Sequence, residues 1–485
     1  MMPKLVAGEV GMMIWFILLF TFLLTTLLVL KKTARFLLFL FCFAVGFGYS
    51  FYASIPKYPI LPTAKYNISG TIYALSETYN TFLITDVKVN QKPQQNIYLK
   101  VFDAIDAQVC DKIIFDGKLE KVNLFESNGD QNIFNIKENI GYIVQVNAKN
   151  VEVKKCDPSL KEQIKQRTQI QFRKYMNKDN ASISYTALFG DKSNLDYDIL
   201  QDFQKSGIAH LLAVSGLHVG FFVAMLMWIL KKIKISNFAQ LIIFFIVLLF
   251  YCWLCSFSPS VMRASIMALF LLICKCFGKQ YDGLTSLGIA GLIIIIFFPL
   301  SPLSGSFKFS FLSVFAIYSM AFSLIKIFEK WHIPKFVAGS LAITISIQIA
   351  ILPLMGGFKS GVNMLSFIAN LVCIPLFQIV YISNFVLLFV SIIPIFGFLF
   401  YLPAKFLEII CFAAKNIAEV SGAIFVFDKL PSQIIQAYEY CFFVVGGLYM
   451  SNAINKIVCT CGVVGITIFA FSINALLNYY NIFFI

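Results

Sequence analysis

Charge is scarce in this chain of 485 residues: Asp, Glu, Lys and Arg together make up 13%. A single soluble globular domain carries about twice that fraction, so this class is excluded. Histidine occurs three times and tryptophan four times. No phosphate loop of the Walker A type occurs, so an ATP-driven step would have to come from another protein. The low hydrophobicity that disorder requires is missing too. What is abundant is apolar surface, with 59% hydrophobic residues, 16% aromatic residues and a mean hydropathy of +0.79. These residues fall in long runs, so the chain reads as a polytopic α-helical membrane protein with one water-soluble insertion.

A spanning helix needs about 20 mainly apolar residues. Windows of that kind lie near 12–30, 36–54, 211–230, 238–256, 261–277, 284–299, 309–328, 336–355, 363–400, 436–450 and 457–480. They predict about 10–12 spans, the count being least defined after residue 360, where turn signals are sparse. Basic residues follow alternate spans: Lys31, Lys32 and Arg35, then Lys231, Lys232 and Lys234, then Lys275 and Lys279, then Lys326, Lys330 and Lys335. The positive-inside rule makes these loops cytoplasmic. Residues 55–208 are therefore expected outside the cytoplasm, with the chain in the cytoplasmic (inner) membrane. The first apolar run does not resemble a cleaved signal peptide, because its basic cluster follows it. The same rule absorbs most of the net charge of +14, which by itself is no sign of nucleic acid.

Four regions are expected: two N-terminal spans over 1–54, a β-rich domain over 55–157, surface helices over 158–208, and a transmembrane domain over 209–485. Alternation predicts strands at 69–75, 81–89, 95–102, 111–122 and 141–154, hence a small antiparallel barrel or sandwich. Between Lys57 and Asp157 twelve lysines offset twelve acids, so composition reveals no strong polyanion patch there. Cys110 and Cys156 are the only cysteines of this insertion, and a disulfide between them is open in an oxidising compartment. Cys252 and Cys255 form a CxxC in an apolar run without partner histidines. Packing accounts for them better than a metal or redox centre.

Lys161, Lys165, Arg167, Arg173, Lys174 and Lys178 are opposed only by Glu162, and apolar residues are interspersed among them. This pattern predicts an amphipathic helix on the membrane surface, meeting lipid headgroups or, alternatively, a passing phosphate backbone. A short helix follows, with Ser193 and Asp196 as a capping box and Gly207 at its end.

The informative stretch is ALFGDKSNLDYDILQDFQKSGIAHLLAVSGLHVG, residues 187–220. His210, Ser215 and His218 stand there at the start of an apolar span, where polar residues are costly. Gly207 and Gly216 allow bends or close approach. Ser215 and His218 share a helical face, but no acid lies near in sequence to orient the histidine. Lining or packing is therefore favoured over hydrolysis, and no catalytic residue, metal site or cofactor is expected. Arg263 at the outer end of a span must reach water, a counter-ion or a polyanion, or else snorkel. Asn370 and Pro375 interrupt one apolar run as Ser215-Gly216 interrupt another. Such breaks line cavities or merely kink a helix.

This stretch, with SGLHVG at its end, resembles the signature of the ComEC-type competence proteins, inner-membrane channels that import single-stranded DNA during natural transformation. Pro259-Ser260-Val261-Met262-Arg263-Ala264 resembles the family's proline-to-arginine motif. Asp282, Leu284 and Pro299, then Gln348, Pro353, Asn370 and Pro375, resemble its later segments. The resemblance covers residues 185–400 well and 1–157 more loosely. It implies an OB-like extracytoplasmic domain, on which Tyr66, Tyr73, Tyr79 or Tyr98 would stack bases or else be buried. It also implies a DNA path lined or gated by His210, Ser215, His218, Arg263, Lys308, Gln348 and Asn370, with helix breaks at Gly207, Gly216, Pro259 and Pro375. Implied partners are single-stranded DNA, the lipid membrane, an external DNA receptor and a cytosolic ATP-driven helicase. Two departures stand out. Lys308, in Ser306-Phe307-Lys308-Phe309-Ser310-Phe311, replaces a glutamine, and no histidine follows His332. A short form without the metallo-β-lactamase-like domain of many members is therefore expected. The alternatives are a transporter of a small metabolite or lipid-linked polar group, and a scaffold that has lost translocation.

Overall fold

The computed structural model describes residues 64–76, 81–94, 96–101, 107, 109–121, 140–232, 235–298, 301–357, 362–363, 365–391, 394–420 and 424–425. All belong to the unit Pro56–Ile485. The expected spans near 12–30, 36–54, 436–450 and 457–480 lie outside the described residues.

Strands β1 (Lys65–Ser76), β2 (Thr81–Val89), β3 (Asn96–Val101), β4 (Lys112–Lys118), β5 (Ile140–Val146) and β6 (Val151–Lys154) form one sheet, extended by two-residue ladders at Lys92–Pro93 and Glu120–Lys121. Along its path the order is β5-β3-β2-β1-β4-β6. All pairs are antiparallel except β3 with β5, where Ile97 faces Tyr142 and Val101 faces Val146. Alternation buries Ile68, Ile72, Ile84, Ile97, Leu99, Ile113, Phe115 and Val144 in one core, as a half-solvated sheet requires. The expected strand 141–154 is two strands. A turn at Ala148–Asn150 separates them, and the second pairs with β4 instead of β3. Cys110 and Cys156 are both free thiols, without the disulfide that the sequence left open. Asp111 ties the two segments instead, accepting the Cys156 backbone N–H at 3.1 Å and pairing with Lys155 at 3.6 Å.

Helices α1 (Leu160–Tyr175), α2 (Lys178–Phe189) and α3 (Tyr197–Lys205) precede α4 (Gly216–Lys232), α5 (Asn237–Leu254), α6 (Pro259–Cys276), α7 (Gly283–Phe297) and α8 (Gly305–Lys330). After them come α9 (Lys335–Gly357), α10 (Ser366–Val390) and α11 (Tyr401–Glu419). Side-chain caps mark most starts: Ser159, Asn177, Asp196, Ser236, Asp282 and Ser304 each accept a backbone N–H of the first turn. Asp196, not Ser193, caps α3, because Asp196 accepts from Asp198 at 2.9 Å while Ser193 is held in the preceding turn by Asp191.

Five helices among the described residues are long and apolar enough to cross a membrane: α5, α6, α8, α10 and Ile395–Glu419, which contains α11. Shorter apolar helices occupy Gly216–Leu230, Gly283–Phe297 and Lys335–Ile351. This is a mostly helical membrane protein with a β-sheet region. The expected window 363–400 is corrected. Helix α10 ends at Val390, and a separate apolar helix follows that Lys405, Glu408, Lys415 and Glu419 had masked in the sequence. Pro375 lies inside α10 without ending it.

Helix α2 lacks an amphipathic pattern because both sides are covered, and every residue from Asn180 to Phe189 is buried. It packs with α1, α3, α10 and α11 in one core, while α4 to α9 share another. Asn384 of α10 donates to Ser184 at 2.9 Å, and Asn180 donates to the Ala404 carbonyl at 3.2 Å.

Lys165 turns inward from α1, so the basic face is narrower than the sequence implied. Its Nζ lies 3.3 Å from Asp191 Oδ2, which also accepts the Tyr185 hydroxyl at 3.2 Å. Burial alone would raise the Asp191 pKa, but the Lys165 ammonium and the Ser193 hydrogen bonds outweigh it and hold it below the usual carboxylate range. A depressed carboxyl stabilises the fold above its ordinary value of 3.8, and that contribution is lost as pH falls through the lower folded value. Asp191→Asn is therefore expected to lower stability by about 2–3 kcal/mol near neutral pH, less than a fully buried pair because Asp191 is partly exposed. Thermal unfolding of Asp191→Asn and of the double variant Lys165→Met/Asp191→Asn, which should recover part of the loss, checks this.

Candidate functional site

The 3₁₀ turn Ala209–Leu212 carries the chain from α3 to α4. Gly207 opens it with φ +80°, and a Cβ there would lie 2.6 Å from Ser366 Cβ. Both conformation and space demand glycine. At the start of α4, Ser215 Oγ accepts the His218 backbone N–H at 3.4 Å, and His218 Nδ1 accepts the Ser215 backbone N–H at 3.1 Å. This is a capping box with histidine in the place usually held by Glu or Gln. With Nδ1 accepting, the neutral ring carries its proton on Nε2. His218 is buried and stacks on Tyr381 of α10, centroids 4.5 Å apart, with Phe377 beside it at 5.7 Å. Tyr381 shares a 2.9 Å hydrogen bond with Tyr251 of α5, whose hydroxyl donates to the Leu188 carbonyl at 3.0 Å. Ser215 and His218 thus form a cap and a packing joint. His210, on the turn, is exposed.

Arg263, one turn into α6, is 5% exposed. Its Nη1 donates to the Ser310 carbonyl of α8, while its Nε is buried without a hydrogen-bond partner among the described residues. Gly216 makes room for it, since a Cβ there would lie 2.3 Å from Arg263 Nη2. Ser260 and Ser306 hydroxyls stand 3.4 Å apart beside this group. The proline-to-arginine segment and the segment containing Lys308 therefore meet, with Pro259 starting α6 and Lys308 half-buried on α8.

Gln348 of α9 donates to the Ser366 hydroxyl. Asn370, one turn further along α10, has a buried Oδ1 without a hydrogen-bond partner among the described residues. Asn363 bridges the Lys205 carbonyl at 2.9 Å and the Ile417 carbonyl at 3.3 Å. The structure thus sorts the expected residues into two groups. Gly216 and Arg263 sit with Ser310, while Gly207, Gln348 and Asn370 sit with Ser366. The sequence reading missed Ser366, Asn363, Tyr251 and Tyr381, and it named Ser310 only as part of a motif. Only Tyr251 and Tyr381 had a usable signal, as polar-tipped aromatics within apolar runs.

Lys161 donates to Ser256 Oγ at 2.6 Å, and Arg167, Arg173, Lys174 and Lys178 are exposed. Tyr66 packs at the edge of the β core and Tyr73 is exposed. Tyr98 lies in β3, and Tyr79 is outside the described residues. Cys252 contacts Ser265 Oγ at 3.4 Å and Cys255 the Leu188 carbonyl at 3.7 Å, both buried as packing groups.

The cap makes a graded prediction. His218→Gln keeps an acceptor at the third helical position, whereas His218→Ala removes both acceptor and ring. Unfolding temperatures should fall in the order wild type, Gln, Ala, with the cap itself worth about 1 kcal/mol. Equal losses in the two variants would assign the whole effect to stacking on Tyr381.

Comparison with known proteins follows the same segments. ComE operon protein 3 of Bacillus subtilis (strain 168) is 27% identical over 226 residues, covering 46% of this chain and 28% of that protein. Recombination protein 2 of Haemophilus influenzae is 23% identical over 203 residues, 39% of this chain and 26% of that protein. An uncharacterized protein of Aquifex aeolicus is 29% identical over 196 residues, 40% of this chain and 44% of that protein. The matched region thus spans less than half the length of each of these relatives. No solved structure matches the chain. The Competence protein family matches residues 187–452, more than half of the 485, from the end of α2 through every helix of the site. The chain belongs to the Competence protein family.

Proposed function

We propose that this protein is a channel that passes single-stranded DNA into the cytoplasm across the inner membrane during natural transformation. The observation that carries the reading is the coincidence of the family match with the polar groups among the apolar helices. Gly207, Gln348, Ser366 and Asn370 gather on one side, and Gly216, Arg263 and Ser310 on another. A polyanion cannot cross hydrocarbon bare, so polar and basic groups at membrane depth are what such a path requires. In this reading Arg263, Lys308, Gln348 and Asn370 line or gate the path, and Ser215 and His218 set the joint on which it turns. Residues 55–208 lie outside the cytoplasm, as the basic loops argue. The strand order, with one parallel pair β3–β5 among the described residues, supports an OB-like external domain. That domain would meet DNA before the membrane does, with an external receptor upstream and an ATP-driven helicase in the cytosol.

Deleting the gene in a transformable host is expected to abolish entry of labelled DNA into the cytosol while leaving DNA binding at the surface intact. Transformation at wild-type frequency would overturn the proposal. Arg263→Ala is expected to impair uptake at normal membrane abundance, and unchanged uptake would remove Arg263 from the path.

A further inference from the structure

Arg263 presents an electrostatic problem that the protein leaves unsolved. A guanidinium carries five N–H donors and a permanent charge. Here it is 95% enclosed, its Nε has no partner, and no carboxylate pairs with it among the described residues. Apart from the Ser310 carbonyl, which accepts from Nη1, the neighbouring helix ends add positive potential instead of relieving it. Arg263 lies one turn from the N-terminus of α6, and its Nη2 reaches the N-terminal residue of α4, Gly216. Its Nη1 reaches Ser310, in the second turn of α8, and Ser306 in the first turn of α8 meets Ser260 in the first turn of α6. Three helices of at least 17 residues therefore bring their N-terminal ends to one place. Each such end carries roughly half a positive charge, and its first backbone N–H groups lack an intrahelical acceptor; at α4 and α8 one of them is already taken by the capping hydroxyls of Ser215 and Ser304. Ser258 at the N-cap of α6 makes no side-chain cap bond, which leaves the N–H groups that follow Pro259, itself without one, open to an external acceptor. The paired hydroxyls of Ser260 and Ser306, one donating to the other, leave one free O–H donor at the same rim.

An interior cation at a convergence of positive helix ends is destabilising unless an anion completes it. We propose that the N-termini of α4, α6 and α8, with Arg263 between them, form an oxyanion site that holds one phosphate group. Gly216 is part of its construction, because any side chain there would occupy the space through which the guanidinium meets the end of α4. The oxyanion chemistry stands on the geometry alone. Its assignment to a phosphodiester of single-stranded DNA rests on the proposed DNA-uptake function; inorganic phosphate and a lipid headgroup would offer the same oxygens.

The test uses the full chain purified in a phosphate-free maltoside detergent. Thermal unfolding is followed with inorganic phosphate, with a short thymidine oligodeoxynucleotide, and with phosphatidylglycerol added separately. For the wild type, phosphate and the oligonucleotide are expected to raise the unfolding temperature. Arg263→Lys should retain part of the effect, and Arg263→Gln should bind about tenfold more weakly or worse. Arg263→Gln without anion should unfold no earlier than the wild type, since it removes an uncompensated buried charge. A wild type that none of the three ligands stabilises would overturn the site, as would an equal shift in Arg263→Gln. If phosphate stabilises and the oligonucleotide does not, the oxyanion site stands and its assignment to DNA falls. If only phosphatidylglycerol joins phosphate, the source is lipid. Gly216→Ala supplies a second variant: its Cβ would crowd Arg263 Nη2, so the anion-induced rise in unfolding temperature should shrink, and a rise equal to that of the wild type would overturn the part assigned to Gly216.

Discussion

Helix α10 carries Ser366, Tyr381 and Asn384 along a single face, and the other helices are matched to that face. Ser366, Phe377, Tyr381 and Asn384 recur at helical spacing and are all buried. Ser366 meets Gln348 and closes on Gly207, Tyr381 meets His218 and Tyr251, and Asn384 meets Ser184. In hydrocarbon every polar group needs a protein partner, because water is not there to supply one. A seam of this kind fixes which helices surround α10 and in what rotation, since shifting any of them by one residue would strand a hydroxyl or an amide. The re-entry of the chain at Gly207–Gly216 depends on it directly. The capped start of α4 is held in place by a ring stacked on α10.

Against this background of matched polar groups, the exceptions stand out. Arg263 Nε, Asn370 Oδ1, Asn384 Oδ1 and Ser286 Oγ are buried without hydrogen-bond partners among the described residues. Two of them, Arg263 and Asn370, belong to the segments that resemble the family's signature, and Arg263 bears a full charge. Proteins that satisfy local rules throughout most of the structure and break them at one place usually do so where function requires it. The Lys165–Asp191 pair shows the contrast. There a buried cation is given a carboxylate, which in turn receives a tyrosine hydroxyl and the Ser193 backbone. The fold is able to neutralise a buried lysine and does so where the role is to anchor α1.

Much of the architecture was legible from the chain. Membrane class follows from the length of the apolar runs, and most strands in the insertion follow from alternation, because one face of that sheet is wet and the other dry. Pattern failed where burial is not one-sided. Helix α2 is enclosed all round and has no periodicity to read, and α11 was obscured by charges that point away from its buried Pro403, Leu407, Ile410 and Ala414. Pro375 reads as a break in any local scheme, yet α10 runs through it, since neighbouring helices hold the segment in place. The division of 141–154 into two strands also escaped pattern, because both halves alternate and only their different partners separate them.

Composition and residue order alone place the chain in a membrane, interrupt its apolar runs with a β-rich insertion, and cluster its distinctive residues between Ala187 and Asn370. Those properties depend on composition and on spacing along one element, which are local. Which of those residues meet is settled by packing in three dimensions. Ser215 and His218 were lining or packing residues on one helical face in sequence and are a helix cap in space. Arg263 was a charge at a helix end and became a buried cation wedged against Gly216 and Ser310. Such pairings join elements tens of residues apart, and no local periodicity encodes them. They arise because packing and the absence of water at depth leave few ways to bring every polar group to a partner.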